Sequence, residues 1–182
     1  MNHKSKHILI VDDNPDDLAD MRRMLLLGSE VQFRFTQAGL GMTLIDMLGN
    51  GAHAMPDCLL LDYYLPDMDA PEAIAALQGT DGMSVCPIVV LTGAEGAHLG
   101  KLVLRAGAQD FIGKESLTPI GLVRAVENAI ERWTMVRELM QRERMLTARE
   151  RELASLADNT PDILSRFDHE FRHVFVNKAV QS

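Results

Sequence analysis

The sequence predicts an α/β protein: a doubly wound sheet of five parallel strands with helices on both faces, continued by one long C-terminal helix. Three observations lead there. From His7 to about Asn128, short apolar runs alternate with amphipathic stretches, the pattern of a parallel sheet buried on both sides. The runs end in polar residues of matching chemistry, as expected where strands deliver side chains to one functional edge. After Thr118-Pro119 no helix stop appears before Asn159-Thr160-Pro161.

The strands are expected at 7–12, 31–36, 57–62, 86–91 and 109–113. Ile8-Leu9-Ile10-Val11 ends in Asp12-Asp13, and Cys58-Leu59-Leu60-Leu61 ends in Asp62. Ile88-Val89-Val90-Leu91 ends in Thr92, and Asp110-Phe111-Ile112-Gly113 in Lys114. The first helix has Asn14 as N-cap, Pro15 at its first position, and Asp16 and Asp17 in its positive first turn. Leu18, Met21 and Leu25 recur at helical spacing. The fourth helix, over 95–105, contains Gly96 and Gly100, each costing about 1 kcal/mol relative to Ala, so it is expected to be short, frayed or mobile.

The last helix starts with Thr118 as N-cap and Pro119. A helix of about 40 residues would be roughly 60 Å long. Leu122, Val123, Val126 and Ile130 suit packing on the sheet. Over 131–157 the chain is dense in Arg and Glu but keeps a narrow stripe: Trp133, Val136, Leu139/Met140, Leu146/Thr147 and Leu153/Ala154. Leu139, Leu146 and Leu153 repeat every seven residues, a coiled-coil period. This segment is expected to pair two copies as a parallel homodimer, with Glu143 and Glu150 weakening the seam. Beyond Pro161 the pattern turns strand-like, with Ile163-Leu164-Ser165-Arg166-Phe167 and then Val174-Phe175-Val176. Some twenty residues are too few for a core, so this reads as the opening of a further domain.

Composition narrows the function. The 182 residues are 47% hydrophobic, enough for a core, and the net charge of -8 argues against nucleic acid as a partner. Cys58 and Cys86 sit in or beside apolar runs and read as buried thiols of a reducing compartment. No signal peptide or membrane-length apolar run is evident, so a cytoplasmic location is expected.

The strand ends describe a chemistry. Carboxylates of Asp12, Asp13 and Asp62, with a backbone carbonyl near Tyr64, suit a hard cation such as Mg2+. Thr92 and Lys114 suit phosphoryl oxygens. With the acidic repulsion relieved, Asp62 stays ionised and can accept a phosphoryl group. Asp67-Met68-Asp69 follows no strand directly, which argues against a phosphatase motif of that spacing. Gly93-Ala94-Glu95-Gly96 lacks the ending of a phosphate loop, and His169 and His173 fall where four-residue spacing does not converge.

On Asp12-Asp13, on Asp62 with Pro66 four residues later, and on Thr92 and Lys114, residues 7–128 resemble a response-regulator receiver domain of two-component signalling. The resemblance implies a flavodoxin-like fold and makes Asp62 the phosphoacceptor. Asp12, Asp13, Asp62 and the Tyr64 carbonyl become Mg2+ ligands, and Thr92 and Lys114 contact the phosphoryl group. It also makes Thr92 and Phe111 switch residues and implies a histidine kinase or phosphotransfer protein as donor. Three departures stand out: Glu115 replaces the usual Pro after Lys114, Gly93 follows Thr92 in place of Ala, and Phe111 carries no hydroxyl. A trans Lys114–Glu115 bond is expected, because a cis bond before a non-proline costs about 2.5–4 kcal/mol. Residues 158–178 resemble the start of a PAS domain. The expected organisation is therefore a receiver over 1–128, a helical linker over 129–158 and a PAS-like opening over 159–182. That order is similar to multidomain sensor kinases and cyclic-dinucleotide enzymes. Two other classes compete: a pseudo-receiver acting only as a dimerising module, and a small Mg2+ phosphatase. The intact acidic site argues against the first. The second lacks an evident general acid beside Asp62.

Overall fold

The computed structural model describes residues 5–49, 54–93, 99–159 and 165–176. Backbone contacts divide the chain into two compact units, Met1–Thr134 and Met135–Ser182.

The first unit alternates strand and helix: β1 (Lys6–Val11), α1 (Pro15–Gly28), β2 (Phe33–Ala38), α2 (Gly41–Gly49), β3 (Cys58–Asp62), α3 (Ala70–Ala76), β4 (Ile88–Thr92), α4 (Leu99–Ala106) and β5 (Asp110–Gly113). A 3-10 turn, Lys114–Ser116, leads to α5 (Pro119–Asp158). All pairings in the five-stranded sheet are parallel, in the order β2-β1-β3-β4-β5. The chain reverses direction of winding after β2, so the switch point lies between β1 and β3.

Side chains alternate across each strand. Leu9, Val11, Leu59, Leu61, Ile88 and Val90 face one core with Leu44, Ile74 and Val103 from α2, α3 and α4. Ile8, Ile10, Leu60, Val89 and Leu91 face the other with Met21 and Leu25 of α1 and Leu122 and Val126 of α5. Both cysteines are buried free thiols, and burial pushes both pKa values up, that of Cys86 to about 12.

The helix signals hold at two termini. The Asn14 side chain accepts from the Asp16 amide, and Thr118 Oγ1 accepts from the Gly121 amide. The second strand starts later than expected, at Phe33. Ser29 Oγ accepts from the Val31 amide at 3.0 Å, which keeps 29–31 in a turn, and pairing begins at Lys6 with Phe33. Helix α1 ends against α5 at Gly28, where a side chain would collide with the Pro119 carbonyl.

Among the described residues the fourth helix covers Leu99–Ala106. Gly96 lies outside the described residues. Gly100 has a reason to be glycine: a Cβ there would overlap the Phe111 ring. The Lys114–Glu115 bond is trans.

One boundary needs correction. Trp133, assigned from the sequence to the helical seam, belongs to the first unit: its Nε1–H donates to the Ser84 carbonyl at 3.1 Å. Arg132 pairs with Asp110 at 2.8 Å one residue earlier. Helix α5 is thus held to the sheet domain up to Thr134, past the expected limit at 128.

The second unit contains the C-terminal part of α5 and an antiparallel hairpin, β6 (Ser165–Phe167) and β7 (His173–Val176). The hairpin expected after Pro161 is present, while 160–164 and 177–182 lie outside the described residues. Its turn is held by Asp168, which accepts from the Glu170 and Arg172 amides. His173 packs on the Phe167 ring, 4.1 Å between centroids.

Candidate functional site

The site forms at the C-terminal edge of the sheet, beside the switch point. Asp12 follows β1, Asp62 ends β3, Thr92 ends β4 and Lys114 follows β5. Register places Thr92 against Gly113, immediately before Lys114. Four of the residues singled out in the sequence therefore meet at one edge, through strand order alone.

Lys114 is the hub. Its ammonium donates to Asp12 Oδ2 at 2.7 Å and to Asp17 Oδ2 at 2.8 Å, and pairs with Asp62 Oδ1. Asp12 is buried, and its other oxygen accepts from the Asn14 amide at 2.9 Å, which ties it to the start of α1. Asp62 Oδ2 accepts from the Tyr64 amide at 2.9 Å. Burial pushes the Asp62 carboxyl above its ordinary range against the pull of Lys114, and the Asp12 charge pushes with burial. For Lys114 burial alone would lower the pKa; the bonds to Asp12, Asp17 and Asp62 outweigh it and hold the pKa above the usual lysine value.

This differs from the arrangement expected from the sequence. Asp12, Asp13, Asp62 and the Tyr64 carbonyl were expected around one cation. Among the described residues no group of three or more acidic, His or Cys side chains is gathered to hold a metal. Three carboxylates gather around Lys114 instead, and Asp13 stays exposed outside that network. The physical reason is charge: buried carboxylates need a counter-charge, and the ammonium supplies it. The donor chemistry still fits Mg2+, since Asp12, Asp13 and Asp62 offer hard oxygen ligands at adjacent strand ends.

Asp17 is the residue missed by sequence reasoning. It was assigned only to the positive first turn of α1. The available signal was its position as the third helical residue, one turn on from Asp13. Side chains lean toward a helix N-terminus, so this one reaches back to the strand edge.

Thr92 is buried at the end of β4. Phe111 is half-buried, packed against the core that holds α4. The neighbouring acids Asp67 and Asp69 are structural. Asp67 caps α2, accepting from the Gly41 and Met42 amides at 2.8 Å, and these bonds hold its carboxyl below the usual range. Asp69 forms a capping box with Glu72 on α3. Together they anchor the loop that follows Asp62, Asp67 to the start of α2 and Asp69 at the start of α3.

The chain belongs to the response regulator receiver domain family, whose model matches residues 8–127. It is 30% identical over 113 residues to a probable cyclic di-GMP phosphodiesterase of Vibrio cholerae, covering 62% of this chain and 24% of that protein. It is similar to a response regulator of Chloroflexus aurantiacus at 27% identity and a TM-score of 0.58, covering 70% of this chain and 99% of that one. The fold is also shared with the N-terminal domain of a response regulator/sensory box/GGDEF three-domain protein of Carboxydothermus hydrogenoformans (24% identity, TM-score 0.59, 71% and 98% covered). The chain spans between a quarter and under half the length of the first curated relatives it matches. No described helix is long and apolar enough to cross a membrane.

Proposed function

We propose that residues 1–128, continued structurally to Thr134, act as a phosphoacceptor domain in which Asp62 takes a phosphoryl group from a histidine kinase or phosphotransfer protein. The observation that supports this most directly is the contact of Lys114 with Asp62 across β3 and β5, residues 52 apart in sequence. An Asp62 oxygen attacks phosphorus, an O–P bond forms, and the bond from phosphorus to the donor breaks, its electron pair leaving with the donor. Lys114 then turns an N–H to a phosphoryl oxygen, and the Thr92 hydroxyl supplies a second donor. Mg2+, held by Asp12, Asp13, Asp62 and the Tyr64 carbonyl, would neutralise phosphoryl charge. Thr92 and Phe111 form the switch. Phe111 has no hydroxyl, so its part is played through packing.

The signal passes along α5. The apolar residues of its second part, Val136, Leu139, Leu146 and Leu153, are exposed in the single chain. Their heptad spacing supports a parallel two-stranded homodimer over 131–157, with Val136 as the first seam residue because Trp133 is engaged in the sheet domain. The β6–β7 hairpin supports a PAS-like opening over 159–182. The protein is proposed to be cytoplasmic, without nucleic-acid binding by this segment.

Incubation with acetyl phosphate and Mg2+, followed by intact mass, tests the acceptor reading. One added phosphoryl group is expected. No adduct would favour the pseudo-receiver, a dimerising module without phosphate chemistry. Turnover of unrelated phosphoesters would favour a phosphatase.

A further inference from the structure

Lys114 is saturated. An ammonium has three N–H bonds, and here they face Asp12, Asp17 and Asp62. If Asp62 is the acceptor, one of those bonds must turn to a phosphoryl oxygen, and a carboxylate must be released. The three partners are not alike. Asp62 loses an ionised oxygen when its O–P bond forms. Asp12 is buried, is held also by the Asn14 amide, and belongs to the set of cation ligands. Asp17 lies on α1, outside that set, and its side chain is 35% exposed. It alone keeps a full, unshared charge in the phosphorylated protein.

A plainer explanation is that Asp17 merely complements the helix dipole and makes a surface ion pair. Its neighbours separate the two explanations. Asp16 occupies the same positive turn and does not bond Lys114. Asp20, one turn further on, pairs with Arg23 at 3.0 Å. Only Asp17 is aimed at the lysine. The pair also borders a cavity of about 70 Å³ lined by Asp20, Met21, Met24 and Leu117, which gives the lysine side chain room to move.

We propose that Asp17 is a positioning residue that holds Lys114 back and competes with the incoming phosphoryl group for it, slowing transfer onto Asp62. This rests on the phosphoacceptor reading. The reacting bonds are unchanged: an Asp62 oxygen bonds phosphorus, and acetate leaves acetyl phosphate with the electron pair of the broken P–O bond. Asp17 changes only how readily Lys114 leaves its resting contacts.

The test follows phosphoryl uptake by the full chain from acetyl phosphate with Mg2+, by intact mass over time. Asp17→Asn and Asp17→Ala should take up phosphate about two- to five-fold faster, the scale of a part-exposed ion pair. Asp17→Glu, which restores a carboxylate, should return the rate toward wild type. Asp16→Asn makes the same charge change one residue away and should alter the rate less than two-fold. Uptake by Asp17→Asn at or below the wild-type rate overturns the proposal, as does equal acceleration by Asp16→Asn, which would mean a general charge effect. In both cases wild-type uptake leaves the phosphoacceptor reading standing. A wild type that takes up no phosphate overturns that reading and this proposal together. Thermal melts of each variant establish that the fold is kept.

Discussion

The sheet edge and the second part of α5 both depend on residues far from one another in space or sequence, yet they meet that need differently. At the edge, Asp12, Asp17, Asp62 and Lys114 come from α1 and three strand ends and satisfy one another within a single chain. Along the helix, Leu139, Leu146 and Leu153 are each more than 60% exposed. Most of their apolar surface is open among the described residues, although their spacing is regular. A self-contained charge cluster suits a site that must be ready before any partner arrives. An apolar stripe left open suits a device whose state is set by a second copy.

The contrast can be broken at either end. The largest effect is expected from Asp62→Asn, which should abolish phosphoryl uptake while keeping the fold. Because burial raises the Asp62 pKa, the folded protein holds its proton more tightly than the unfolded chain, so the ionised form costs stability above the folded pKa. That cost fades as pH falls through the folded value toward 3.8. Asp62→Asn should therefore melt at or above the wild-type temperature at pH 7, with the difference narrowing in acid. A lower melt at pH 7 would show that the Lys114 contact outweighs the cost of burial.

Lys114→Met should both impair uptake and destabilise the fold, by about 3 kcal/mol, because it strands buried carboxylates without a counter-charge. Urea unfolding with and without Mg2+ measures this, and the cation should restore part of the loss. For Lys114 the raised pKa has the opposite pH consequence. Its stabilisation is complete below about 10.4, the ordinary lysine value, and is lost only as pH climbs through the folded value. A marked loss of stability between pH 7 and 9 would not come from this residue.

At the helix, Leu146→Asp should leave uptake intact and shift the solution mass from dimer to monomer at tens of micromolar. Sedimentation reads this directly, and a wild type already monomeric would remove the seam from the account. The smallest effect expected is at Gly100. Gly→Ala in an open helix gains about 1 kcal/mol, but here a methyl group meets the Phe111 ring. Gly100→Ala should instead lose about 1–2 kcal/mol, as overpacked sites do, and should displace the proposed switch residue. A stabilised variant would show that the ring yields without cost.

Much of this was legible in the sequence because strand ends advertise themselves: an apolar run that stops at a charge places that charge at a sheet edge. Asp12, Asp62, Thr92 and Lys114 were found in that way, and the Asn14-Pro15 and Thr118-Pro119 starts mark their helices. Asp17 was not found, because a helical acid reads as a dipole partner until the loop after β5 is placed beside it. Trp133 was misassigned for a related reason. Its spacing from Val136 suits a seam, but its indole N–H finds the Ser84 carbonyl, a partner 49 residues away that no periodicity reports. Gly100 looked like a weak point of α4, whereas it is the space that Phe111 occupies. The Lys114 cluster was not legible for the same reason, since Lys114 reaches the carboxylates from a strand that local spacing does not connect to them.

The most direct test of the account is to find which residue carries the phosphoryl group. Borohydride reduces an acyl phosphate to an alcohol, so reduction after treatment with acetyl phosphate and Mg2+ marks the acceptor permanently, and peptide mapping then locates it. The account predicts that residue 62 is recovered as homoserine in wild type and that no other aspartate is converted. Conversion at Asp12, Asp13 or Asp17 with Asp62 intact, or no conversion in a protein shown to be folded, would contradict it.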